Sequence, residues 1–116
     1  MPDGHYVYMK EILHELFMMN MKLMAVVHEQ SSEKSVPGEF FDGLSQINQC
    51  LYALRKNSRD LDSKLKLVRV LTGIQPQYII FHDGLLPEAA LELEKIYNAF
   101  VAKMAVYIEG TDSRLG

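Results

Sequence analysis

Pro87–Glu109 reads PEAALELEKIYNAFVAKMAVYIE, and its apolar residues recur at helical spacing. Ala89/Ala90, Leu93, Ile96/Tyr97, Phe100, Met104 and Tyr107/Ile108 fall every three or four positions and form one stripe. Glu88, Glu92, Lys95 and Lys103 fall mostly away from it. Pro87 suits a first helical turn, where no backbone donor is needed. Glu88 complements the positive end of the helix dipole, and Gly110 predicts a stop. A stripe of this length cannot remain in water, so the rest of the chain must supply helices to cover it.

The chain has 116 residues, the size of one domain, and 48% of them are hydrophobic, enough for a packed core. A net charge of -3 implies no general attraction to nucleic acid or an anionic membrane. The lone cysteine, Cys50, excludes an internal disulfide and fits a reducing compartment. The N-terminus, MPDGHYVYMKE, lacks the pattern of a signal peptide. Asn20, Lys22 and His28 interrupt the longest apolar runs, so no membrane span is expected. These features predict a cytoplasmic protein.

Working backward from the last helix, three more are expected. Residues 1–5 read as a loose lead, followed by a helix over Tyr6–Glu29 with Met9, Ile12/Leu13, Leu16, Met19, Leu23 and Val26/Val27 as its stripe. Phe17, Met18, Met21 and Met24 add apolar surface beyond that stripe. Met9, Met18, Met19, Met21 and Met24 are five of the seven methionines, so this helix is either the most buried one or an adaptable binding surface. Residues 30–38 read as a loop. A second helix, from Pro37 or Gly38 to Asn57, carries Phe40/Phe41, Leu44, Ile47, Leu51 and Leu54 near an a/d seam, with Gly43 inside it. A third follows a cap at Asp60, with Leu61, Leu65, Val68, Leu71, Ile74, Tyr78 and Phe81 as its inner face. Pro76, beside Gly73, predicts a kink or short break, and Gly84 a stop. Residues 111–116 read as a frayed tail.

No catalytic motif stands out. Glu11-Ile-Leu-His14 has the Glu-x-x-His spacing of bundle di-iron sites, but the second copy and further inward carboxylates that such sites need are missing. His14 falls on the polar side of its helix. Cys50 reads as a buried small hydrophobe rather than a nucleophile, since no histidine partner is evident. Neither a phosphate-binding loop nor a nucleophile elbow occurs. No enzyme activity, metal or cofactor is expected. Arg55, Lys56, Arg59, Lys64, Lys66 and Arg69 are half of the twelve Lys and Arg. They read as a solvated helix junction, or else as a docking patch for an acidic partner; RNA is the weaker alternative, because only Tyr52 is near to interleave with them.

Two segments carry a family resemblance. Phe40-Phe41-Asp42-Gly43-Leu44 resembles a Leu-Tyr-Asp-Gly helix segment. Leu86-Pro87-Glu88-Ala89-Ala90-Leu91-Glu92-Leu93, then Ile96-Tyr97-Asn98-Ala99-Phe100, resembles a Gly-Gly-Glu-x-Ala-x-Asn-Leu opening followed by Leu-Tyr-x-Tyr-Met. Both belong to the flagellin-binding secretion chaperones of bacterial flagella, the FliS family. The resemblance covers about residues 40–104, and the distance from Asp42 to Tyr97 matches that family without a gap. Phe41, Leu86-Pro87 and Glu92 stand where the family has tyrosine, a double glycine and asparagine. The family's last helix has no counterpart here, so helix 1 is expected to take its place.

Together these readings predict an all-α, antiparallel up-down four-helix bundle forming one domain over residues 1–116, kinked near Pro76. The resemblance implies a cytoplasmic export chaperone that holds a segment of flagellin, or of another secreted filament subunit, in an apolar groove between helices. The candidate partner-binding residues are Phe17, Met18, Met21 and Met24 with Tyr97, Phe100 and Val101. The alternative is a small helical homo-oligomer, such as a homodimer, whose apolar excess is a self-interface or serves an adaptor or co-chaperone role without flagellin.

Overall fold

The computed structural model describes the backbone of residues 2–30 and 38–115 and the side chains of residues 9–30 and 38–110. Four helices account for it: α1 (Pro2–Gln30), α2 (Gly38–Lys56), α3 (Leu61–Asp83) and α4 (Pro87–Leu115). The expected loop over 30–38 lies almost wholly outside the described residues. The fold is an all-α four-helix bundle, 49 Å long and 24 by 21 Å across.

The helices form a ring. α1 packs on α2 and α4, and α2 packs on α3, while α3 and α4 touch least. Asn20 meets Leu44 and His28 meets Phe41, so residue numbers fall on α2 as they rise on α1. The same opposition joins Glu15 to Lys103 and places Met9 beside Gly110.

The α4 stripe is buried as its spacing predicts: Leu93, Tyr97, Phe100, Met104 and Tyr107 all lie in the core. They meet Ile12, Leu13, Leu16 and Leu23 of α1 and Phe40, Leu44, Ile47 and Leu51 of α2. Each such side chain contributes roughly 2 kcal/mol by leaving water. Phe40 sits at the aromatic centre, with the rings of Tyr78, Phe81 and Tyr97 at 5.6 to 6.3 Å.

The ends differ from expectation. α1 starts at Pro2 rather than Tyr6, and α4 passes through Gly110 to Leu115. Gly110 is not a stop: the helix runs on through it, and a Cβ there would lie 3.1 Å from Met9 Cε. α3 ends before Gly84, at a φ of -86°, without the left-handed turn that favours glycine. Its start is as expected. Asp60 accepts from the Ser63 amide at 3.2 Å and from Ser63 Oγ at 2.8 Å.

α3 departs from its predicted inner face. Leu67, Ile74 and Phe81 are buried, with Val70, Leu71 and Tyr78 half-buried, whereas Leu61, Leu65 and Val68 face solvent. The helix carries two apolar stripes, and α2 takes the one through Ile74. Gly43 decides the choice: a Cβ at Gly43 would overlap Ile74 Cγ2, so only glycine lets the two helices come this close. α3 is also unbroken at Pro76. Pro76 and Thr72 are exposed, so the Thr72 carbonyl that loses its helical donor can turn to water.

Candidate functional site

The thin contact between α3 and α4 leaves a seam. Tyr78 of α3 stacks on Tyr97 of α4 with ring centroids 3.7 Å apart and planes 5° from parallel. One turn nearer the connecting loop, His82 Nε2 lies 3.0 Å from Glu94 Oε2. His82 is pushed above its usual pKa, first by this hydrogen bond and further by Asp83, with desolvation opposing. These contacts clip the two helices together beside residues 84–86.

Away from the clip the seam opens. Residues seven apart point within about 20° of one direction on a helix. His82 therefore shares its row with Gln75, Val68 and Leu61, and Tyr78 shares its row with Leu71 and Lys64. On α4, Glu94 shares its row with Val101 and Ile108. Apart from Gln75 and Lys64, the rows that face each other at the clip continue as apolar residues, of which Leu61, Val68 and Val101 are 41 to 55% exposed and Leu71 and Ile108 half-buried. From Gln75 to Leu61 the open stretch is roughly 20 Å long, the length of a helix of about four turns. The walls hold no charged side chain except the half-buried Lys64, which has no ion-pair partner among the described residues.

The seven candidate residues do not converge. Tyr97 and Phe100 are core residues, 5% and 0% exposed, because they belong to the same stripe as Leu93 and Met104. Their inclusion in a groove is corrected: the chain's own helices already cover them. Val101 is exposed, but on the α3 side of α4. Met18 and Met21 are 56% and 46% exposed on α1, which packs against the other flank of α4, marked by Lys103 and its partner Glu15. Phe17 and Met24 are half-buried toward α2. Arg55 lies 5.0 Å over the Phe17 ring, and Asn20 Nδ2 lies 3.7 Å from Met24 Sδ. Leu61, Leu65 and Val68 were assigned to the core by period alone. Their spacing matched a buried face, and only the Gly43 contact reveals which stripe is inside.

Elsewhere the chemistry is sparse. A hollow of about 440 Å³ lies between α2 and α3, with Glu39, Asp42 and Gln46 on one side and Arg69, Gly73 and Gln77 on the other. It contains no nucleophile and no histidine. Cys50 is buried, and desolvation pushes its thiol above the usual range, as for an inert core cysteine. His14 and Glu11 are exposed, and no cluster of three metal-ligating side chains occurs among the described residues. Within the basic group, Lys56 lies 4.6 Å over the Tyr52 ring, as Arg55 does over Phe17. No helix among the described residues is long and apolar enough to cross a membrane.

Comparisons with protein-family models, with curated proteins and with solved structures returned no match.

Proposed function

We propose that this chain is a binding protein of secretion-chaperone type that holds an amphipathic helical segment of a secreted filament subunit in the seam between α3 and α4. One observation carries the reading: a thin α3–α4 contact closed at one end by the Tyr78–Tyr97 stack, beyond which Leu61, Val68 and Val101 lie exposed over about 20 Å beside the half-buried Leu71 and Ile108. Monomeric proteins seldom leave contiguous apolar surface without a use. Helix-in-groove recognition needs rows of apolar anchors at helical spacing, which Leu61, Val68, Leu71, Val101 and Ile108 supply. The resemblance to the flagellin-binding chaperones adds the client class and a cytoplasmic site of action. The packing of α1 on α2 and α4 agrees with its standing in for that family's last helix.

The test is capture of partners from the host with the purified chain, comparing wild type with Val101→Glu and Leu71→Glu. Recovery of flagellin or another filament subunit by the wild type, lost in both variants, supports the proposal. Recovery unchanged by either variant removes the seam from it. Recovery of the chain alone favours the homo-oligomer reading.

A further inference from the structure

We infer that Tyr78 and Tyr97 form an oxidative cross-linking site, at which a one-electron oxidant joins α3 to α4 by a carbon–carbon bond between the two rings. The ring centroids lie 3.7 Å apart and the planes are 5° from parallel. Aromatic pairs usually keep their centroids roughly 4.5 Å apart or more and avoid full overlap. This pair is therefore held face to face by its surroundings. Tyr78 packs against the rings of Phe40 and His82, and Tyr97 against Phe40. One turn nearer the connecting loop, the His82–Glu94 contact ties the same two helices.

Face-to-face overlap is the geometry that phenol coupling needs. An oxidised tyrosine is a phenoxyl radical, whose unpaired electron is shared by the oxygen and the ring carbons ortho and para to it. The p orbitals at those carbons stand perpendicular to the ring, so a new bond grows along the stacking direction. With centroids 3.7 Å apart, the planes are no farther apart than that. This is close to the roughly 3–3.5 Å that separates reacting atoms poised for a bond. Among the described residues no other two tyrosine rings stack. Tyr52 is the most exposed described tyrosine, yet its ring partner is Lys56.

Each phenol gives up one electron and its hydroxyl proton. The two radicals then pair their electrons in a bond between ortho carbons. The hydrogens displaced there return to the oxygens as the rings regain aromaticity, so the product is two hydrogens lighter. The two electrons and two protons reduce one hydrogen peroxide to two waters, the co-reactant being a peroxide activated by a redox metal. The bond staples α3 to α4 where they touch and fixes the closed end of the seam, whatever the seam holds.

Visible light with tris(bipyridyl)ruthenium(II) and persulfate supplies the one-electron oxidant. It is applied to the purified full chain at high dilution, so that copies seldom meet. The expected product is a monomer two hydrogens lighter, with dityrosine fluorescence and a cross-linked peptide pair joining Tyr78 to Tyr97 in mass spectrometry. Tyr78→Phe keeps the ring but has no hydroxyl to oxidise, so this product should be lost. Tyr52→Phe should leave it unchanged, with circular dichroism verifying that both variants are folded. A wild-type monomer without the Tyr78–Tyr97 link would overturn the inference. So would links formed chiefly through Tyr52, which would mean that exposure rather than stacking directs the coupling. The readout needs no client, so its failure leaves the proposed function standing, and loss of client capture leaves the cross-link standing.

Discussion

Gly43 of α2 lies directly against Ile74 of α3, with no space between them for a single methyl group. This contact fixes which of the two α3 stripes is buried, and so which one borders the seam. Ile74 cannot easily yield, because the crowding atom is Cγ2 of a β-branched side chain. Gly43→Ala should therefore destabilise by about 1–3 kcal/mol, although alanine is the better helix former. Thermal unfolding should register this as a fall of several degrees. As a control, Gly73→Ala meets nothing within 4 Å and should be neutral or stabilising.

The clip between α3 and α4 should titrate. His82 has a raised folded pKa, chiefly through Glu94, so folding takes up protons at this site. Its stabilising contribution is fully present below the unfolded value near 6.5 and is lost as pH rises through the folded value. His82→Gln should lower the melting temperature most at about pH 6. The gap to wild type should narrow toward pH 9. A gap that widens with pH would contradict the assignment.

Asn20 is the single fully polar residue in the described core. It donates Nδ2–H to the Leu44 carbonyl at 2.8 Å, across the α1–α2 interface, while its Oδ1 has no partner. Asn20→Leu removes the unpaired oxygen and leaves the Leu44 carbonyl its helical donor. Chemical denaturation should show it neutral or more stable by about 1 kcal/mol. Asn20→Asp places a charge in the same site and should cost several kcal/mol.

How far these features were legible in the sequence depends on how many solutions a pattern allowed. α4 has one main stripe, of which Leu93, Tyr97, Phe100, Met104 and Tyr107 are buried and Ala89, Ala90, Ile96 and Ile108 half-buried. That same stripe already assigned Tyr97 and Phe100 to the core, so placing them in a groove conflicted with the period. α3 has two stripes. No periodicity can choose between them, because the choice rests on a contact between Gly43 and a residue thirty-one positions away. Asn20 falls four residues after Leu16 and three before Leu23, inside the α1 stripe, so its burial was available from spacing. Gly110 was read as a helix stop because glycine serves both as a terminator and as a point of close approach. Here the helix continues past it to Leu115, with Met9 packed close by.

The seam is the central claim, and site-specific photo-crosslinking in the host tests it most directly. A photoreactive phenylalanine analogue would replace Val101 on the seam wall, or Met21 on the exposed face of α1. The account predicts that position 101 forms an adduct with a filament subunit, identified by mass spectrometry, and that position 21 does not. Adducts with that subunit from position 21 alone, or none from position 101 while the variant still captures the subunit, would contradict it.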